Sequence, residues 1–556
     1  MTDPLHPLHV VTDEVNRTEP WQWRRVLAVL DHCTARPFAR RVLEQRRGAH
    51  RVLNADAFLA AYLVHAMFKS TLMHQTQITN TVRGWTPSQR HDVGLDPHTP
   101  ITYKMITDAF EHVRRACESA AYPDWDAERF AQALLDASLW TQPPTGAFAL
   151  DSTDIPTWGR LRFRRPAMDS DPDAPPPQNQ SQHPLPDAPK GPDGRYIYTC
   201  DLDARVGWRS ASQDETEFFC GYDAHVITDV AVEPASAPGH LQVPHVARSA
   251  VLAPAGTHKG DCGWRAVVAL GDTPAPRELM ADRAYNYTTA SHFTIPLWRA
   301  GYTTVFDLHE QQRGRRPGPV AGTQWIDGTL YTTCLPEGLV YIAPLSSDPT
   351  VRDNMRTEER ERIERLHQLR AAYAFTPHGV RQPDGRHRFR GPAVTHPKIR
   401  SPRAPRSMRE DFRKPTVYCT DGKTCGCAIT VTLYDTDEPN TRMPFQHGTI
   451  AWADSYHRRV GIESVFSDLK ANRLHLTRGG IRGFGLTRYS LMLGFALAAM
   501  NLLILRDWHA KRERLDPWGA LLGEPPPPTP HRDRHPATGR RSARANNRRT
   551  TVRPDR

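Results

Sequence analysis

The segment Tyr456-His457-Arg458-Arg459-Val460-Gly461-Ile462-Glu463-Ser464-Val465-Phe466-Ser467-Asp468-Leu469-Lys470 constrains this chain more than any other stretch. Laid on one helix at about 100° per residue from Tyr456, Arg459 falls near 300°, Glu463 near 340° and Lys470 near 320°. Ile462, Val465 and Leu469 fall elsewhere, between about 180° and 240°. The spacing predicts a helix over 456–471 with an apolar stripe for a core and a polar stripe for a site. One carboxylate between two cations suits a metal-bound phosphate, the acid holding the metal and the cations the phosphate oxygens. An exposed helix face laced with charge pairs makes the same pattern, and spacing alone favours that plainer reading.

The chain has 556 residues, which points to two or three domains. With 39% hydrophobic residues it has enough apolar side chains for a packed interior. A net charge of +11 points to a polyanionic partner, nucleic acid first. Nine cysteines, an odd number scattered along the chain, fit reduced thiols better than a disulfide framework. The first residues lack a basic region followed by an apolar run, so no signal peptide is expected. The longest apolar stretch, Tyr489 to Leu505, is broken by Ser490 and Asn501 and reads as a buried helix. The expectation is a cytoplasmic protein without a membrane span.

Along the chain, residues 1–20 read as a polar leader and 21–140 as a helical domain suited to DNA binding. Phe58, Tyr62, Leu63, Ala66 and Met67 make one apolar face, and a second helix is predicted from Thr102 to Cys117. Arg83-Gly84-Trp85-Thr86-Pro87 is a turn cluster. Residues 141–320 alternate strands with turns. Ala149-Leu150 leads into Asp151 and Met280-Ala281 into Asp282, each a short apolar strand ending in an acid. Phe218–Ile227 and Arg265–Leu270 are further predicted strands. Residues 165–193, rich in Pro and Asp, read as a flexible insertion. Residues 321–450 hold a predicted hairpin in which Thr329-Leu330-Tyr331 and Leu339-Val340-Tyr341 flank a turn at Pro336-Glu337-Gly338. A helix over 357–374 and a basic, Pro-rich stretch over 378–416 follow. Residues 451–510 carry the opening segment and the apolar helix, and 511–556 a basic disordered tail.

Tyr456, Arg459, Glu463 and Lys470 match Y-x2-R-x3-E-x6-K, and in this the chain resembles the insertion-sequence-four-like DDE transposases. Each partner of Glu463 is a residue type of a few per cent abundance, so a chance match at a given Glu is on the order of one in ten thousand. Leu279-Met280-Ala281-Asp282-Arg283-Ala284-Tyr285 resembles the family's second acidic strand, and Ala149-Leu150-Asp151-Ser152-Thr153 its first. Gly221-Tyr222 with His225, and Asn501 in the last apolar helix, resemble other family positions. The likeness spans about residues 50–510, insertions excepted.

The resemblance implies an α/β protein with a ribonuclease H-like catalytic core, an N-terminal helical domain and a β-containing insertion between the second Asp and the Glu. It implies Asp151, Asp282 and Glu463 as catalytic residues and ligands of two Mg²⁺ or Mn²⁺ ions. Tyr456, Arg459 and Lys470 become phosphate-binding residues, with Arg283, Tyr285 and Trp325 as further candidates for DNA contact. The implied partners are double-stranded DNA, as element terminal repeats and as target, and a second copy of the chain in a synaptic homodimer. Asp154 competes with Asp151, which is preferred because it directly follows the apolar run. A core tryptophan is the plainer reading of Trp325. Cys419, Cys425 and Cys427, with Cys334 upstream and His447 downstream, raise a zinc site whose C-x5-C-x-C spacing is unusual. Two other functions stay open: a nuclease on the same fold that cuts without joining, and a transposase-derived DNA-binding protein without catalysis.

Overall fold

A computed structural model describes residues 17–44, 53–68, 71–160, 189–210, 216–395, 399–400, 417–418 and 425–526. The polar leader up to residue 16, most of the Pro-rich insertion, much of the basic stretch and the tail beyond 526 lie outside the described residues.

The described chain opens with helices α1 (Pro20–His32), α2 (Ala35–Glu44), α3 (Ala55–Ala66), α4 (Gln75–Arg83), α5 (Pro87–Asp92), α6 (Tyr103–Cys117) and α7 (Ala127–Ser138). Their ends follow local chemistry. Asn54, Thr86, Thr102 and Asp126 each accept a backbone N–H from the first turn that follows. The predicted helix from Thr102 is α6, and the turn cluster at 83–87 joins α4 to α5.

A mixed sheet comes next. Its strands are β1 (Ala147–Pro156), β2 (Arg205–Ser210), β3 (Thr216–Asp229) and β4 (Ala247–Pro254), then, after helix α8 (Lys259–Ala269), β5 (Glu278–Ala281). Helices α9 (Arg283–Asn286) and α10 (Thr294–Arg299) lead to β6 (Thr303–Phe306). The strand order is β2-β3-β1-β5-β6, with β4 also paired to β3. β1 is antiparallel to β3 and parallel to β5, which is parallel to β6. Alternation along β1 feeds two cores. Ala147 and Ala149 join one with the N-terminal helices, and Phe148 and Leu150 join another with Cys262, Ala266 and Phe293.

Arg265–Leu270, read from sequence as a strand, instead lies in α8 and its C-cap. Val267 and Ala266 face a core while Val268 is exposed, so the apolar run is the buried side of a helix. The insertion holds β7 (Arg315–Pro317), β8 (Thr323–Ile326), β9 (Thr329–Thr332), α11 (Pro349–Asp353), α12 (Thr357–Ala371), β10 (Thr376–His378), β11 (His387–Arg390), α13 (Pro392–Thr395), β12 (Ile399–Arg400), β13 (Val417–Tyr418) and β14 (Thr430–Leu433). Its hairpin also differs from expectation. β8 and β9 turn at Asp327-Gly328, both at positive φ, and 337–339 form a 3₁₀ turn. Asp-Gly between apolar strands is a strong hairpin signal that the Pro-Glu-Gly reading overlooked.

The chain returns through α14 (Ile450–His457), α15 (Gly461–Ser467), α16 (Leu486–Ala510) and α17 (Pro517–Leu521). α16 is long and apolar, and 89% of its most apolar window is buried against α3, α7 and β4, the setting of a core helix. Asn501, fully buried, fixes it there. Its Oδ1 accepts from Ala247 N at 2.8 Å, and its Nδ2 donates to Ala247 O at 2.9 Å and Ser138 Oγ at 3.1 Å. One amide thus closes the start of β4 onto α7 and α16. Asn501→Leu leaves both Ala247 groups unpaired and is expected to cost roughly 2–4 kcal/mol in denaturant unfolding; a loss near zero would show that the clamp is dispensable.

Candidate active site

The parallel register of β1 and β5 ends on the pair Leu150–Ala281. Asp151 and Asp282 are the next residues on these neighbouring strands, so the sheet sets the two acids side by side. Asp282 leaves β5 as the cap of α9, its Oδ1 accepting Ala284 N–H at 2.9 Å. β1 runs on past Asp151 to Pro156, so Asp151 lies mid-strand where a strand end was expected. Its Oδ1 accepts the Ser152 N–H at 2.7 Å.

The third acid arrives from the far side of the insertion. Arg459 Nη1 donates to Asp151 Oδ2 at 2.7 Å, and Nη2 to Glu463 Oε1 at 3.3 Å. A guanidinium therefore ties the central strand to a half-exposed glutamate in the first turn of α15. Arg458 anchors this approach by binding Glu278 of β5 at 2.8 Å and the Ala231 carbonyl at 3.1 Å. Gly461 permits close passage, because a Cβ there would meet the His245 ring at 2.9 Å.

The single helix expected over 456–471 is broken. α14 gives way to a 3₁₀ turn at Arg458–Val460, then α15, then a π turn at Asp468–Asn472. The apolar stripe survives, with Ile462, Val465 and Leu469 fully buried. The polar stripe divides. Arg459 and Glu463 stay together, whereas Lys470, in the π turn, pairs with Asp154. It is Asp151 whose titration feels the Asp282 charge, while Asp154 is engaged by Lys470. Tyr456 is buried, stacked on Trp452 with ring centroids 5.5 Å apart and under the Arg459 guanidinium.

Beneath the acids lies a neutral floor. His225 Nδ1 and the Tyr285 hydroxyl are 2.7 Å apart, both side chains fully buried. Burial pushes the His225 imidazole down to about 3, helped by nearby Lys259, so the ring is neutral. Lys259, at the start of α8, donates to Ser152 Oγ at 3.0 Å and lies 5.9 Å from the Tyr285 ring centre. This cation beside Asp151 escaped sequence reasoning. Its one local signal is its place in the first turn of a helix that follows an apolar strand.

Tyr285, expected as a possible DNA contact, is instead fully buried, and Trp325 is 4% exposed in a cluster with Leu330, Phe375, Val431 and Leu433, in keeping with its plainer reading as a core tryptophan. Arg283 is exposed. Among the described residues, the groups of three ligand side chains with all donor atoms within 4.8 Å are Cys334–Cys425–Cys427 and His258–Asp261–His292. Asp151, Asp282 and Glu463 stand farther apart than that, with Arg459 between two of them. No protein-family model matches the chain, and no curated protein matches its sequence.

Burial, then the Asp282 charge, push the Asp151 carboxyl from 3.8 up to about 6, outweighing Arg459 and Lys259. The fold thus favours the protonated acid. That contribution is complete below pH 3.8 and is lost as pH rises through about 6. Asp151→Asn should therefore stabilise the chelator-treated protein at pH 8, by on the order of 1–3 kcal/mol, with the gain vanishing toward pH 4. Thermal melts across this range test it, and a difference independent of pH would sink it.

Proposed function

We propose that this chain is a DDE-type DNA transposase, which cuts phosphodiester bonds at the ends of its element and joins the freed 3′-hydroxyl to target DNA. The observation that carries the reading is the adjacency of Asp151 and Asp282 on parallel strands, tied through Arg459 to Glu463 of the matching motif. The proposed core is ribonuclease H-like, which accords with a mixed sheet flanked by helices. The 181 residues from Asp282 to Glu463 (463 − 282) contain the β-rich insertion such a chain is expected to carry.

Asp151, Asp282 and Glu463 would hold two Mg²⁺ or Mn²⁺ ions. Their oxygens are the hard donors these ions prefer, and Asp151 and Asp282 stand on neighbouring strands. Such ions supply Lewis-acid stabilisation of the attacking and leaving oxygens. The chain's own groups do the rest. Arg459 offers a planar fork that exchanges carboxylate for phosphate oxygens as DNA enters. Lys259 adds positive charge on the β1 side, and Lys470 neutralises Asp154 so that this acid does not add to the repulsion. Exposed Arg283, next to Asp282, faces outward for a backbone contact. The basic chain binds duplex DNA, terminal repeats and target alike, as a synaptic homodimer.

A DNA-binding protein without catalysis is favoured by one observation: the three carboxylates lie beyond common metal-ligand separation, with Arg459 between two of them. Cleavage decides between these readings. With DNA carrying the repeats that flank the gene, Glu463→Gln should abolish Mg²⁺-dependent nicking and leave affinity for the same DNA within about threefold of the parent protein, a change of ~0.6 kcal/mol. Nicking without strand-transfer products in the parent protein points to a nuclease. Nicking retained in the variant removes Glu463 from the site.

A further inference from the structure

Three thiols meet in the insertion. Cys334 follows β9, and Cys425 and Cys427 flank Gly426 ahead of β14. Their sulfurs are separated by 3.2 Å (Cys334–Cys425), 2.7 Å (Cys334–Cys427) and 2.8 Å (Cys425–Cys427). Cys425 and Cys427 are buried and Cys334 is partly so. A disulfide joins two sulfurs and leaves a third apart, whereas here every pair is close. Neutral thiols are weak donors and acceptors and have little reason to gather in threes. A shared soft cation supplies one.

The backbone is shaped for this meeting. Gly426 N–H donates to the Gly322 carbonyl at 3.0 Å, and a Cβ on Gly426 would stand 2.6 Å from that oxygen. Gly322 has φ +87°, and a Cβ there would lie 2.6 Å from Gly426 N. Only glycines let the Cys425-Gly426-Cys427 turn lie on the start of β8. Cys427 N–H donates to Cys425 Sγ at 3.3 Å. The buried Thr332 Oγ1 is 3.2, 3.6 and 3.3 Å from the sulfurs of Cys334, Cys425 and Cys427. An N–H aimed at Cys425 sulfur is the kind of hydrogen bond that surrounds metal-bound cysteines.

We propose that Cys334, Cys425 and Cys427 are ligands of a structural zinc ion that clamps the β8–β9 hairpin to the segment entering β14. Thiolates select zinc over Mg²⁺, which keeps this site chemically separate from the carboxylates. Loading releases three protons, one per thiol, with no change of oxidation state. At a Zn–S distance of about 2.3 Å, tetrahedral ligands stand about 3.8 Å apart, so the sulfur triangle widens by roughly 1 Å. Among the described residues no fourth ligand side chain lies within 4.8 Å of all three sulfurs, and His447, raised by the sequence, bonds Asp307 at 3.1 Å. Cys419 lies outside the described residues. The proposal stands whether or not the chain cuts DNA.

The test uses the full chain, purified without chelator from zinc-supplemented cells. Elemental analysis should find about one zinc per chain, and cobalt(II) exchanged into the site should give thiolate-to-cobalt charge-transfer absorption with tetrahedral ligand-field bands. Cys427→Ser should lose both, while the double variant His258→Ala and His292→Ala retains them. Should Cys427→Ser fail to fold, the parent protein's cobalt spectrum decides. Absence of metal with no thiolate band, a disulfide in the non-reduced mass, or zinc retained by folded Cys427→Ser would each overturn the proposal.

Discussion

Two carboxylates on adjacent parallel strands repel, and the centre of this molecule is organised around holding them together. Strand pairing through Leu150 and Ala281 supplies the constraint, since the register makes Asp151 and Asp282 the next residues on neighbouring strands. The response is local and positive. Arg459 reaches Asp151 from across the insertion, Lys259 stands over Ser152, and Lys470 answers the second acid of β1. Burial raises the stakes of each contact, because charges in a low-dielectric interior are costly unless compensated.

The surroundings keep that arrangement rigid. β1 lies between an antiparallel and a parallel neighbour and buries side chains on both faces. The neutral His225–Tyr285 pair forms a floor that adds no charge. Asn501 joins the first strand residue of β4 to two helices, so the long apolar helix is hydrogen-bonded directly to the sheet. Arg458 carries the coupling to the motif by binding β5 from the turn that also presents Arg459.

Legibility varied with the range of the forces involved. Helix α6 was readable because capping and 3.6-residue periodicity are local, whereas α3, read as having one apolar face, is buried on nearly every side. The Val-rich run in α8 misled because a short apolar stretch serves a strand and a buried helix face equally. The hairpin of the insertion was readable in principle, since Asp327-Gly328 carries its own turn chemistry, yet a nearby Pro-Glu-Gly drew the turn away. The break in the motif helix was not legible. Nothing in 456–471 signals a π turn, which arises where the segment packs against the core and Lys470 meets Asp154.

The sequence alone determined which acids follow short apolar runs or sit on an apolar-backed helix, and which cations lie near Glu463 along the chain, because residue type and short spacing are written in order along it. Tertiary structure alone decided which of those groups meet. It set Asp151 beside Asp282, gave Asp154 to Lys470, brought in Lys259, buried Tyr285 and Trp325, and drew three distant thiols into contact. The reason is physical. Strand register and core packing act between residues tens or hundreds of positions apart, and no local pattern encodes the distance at which two side chains end.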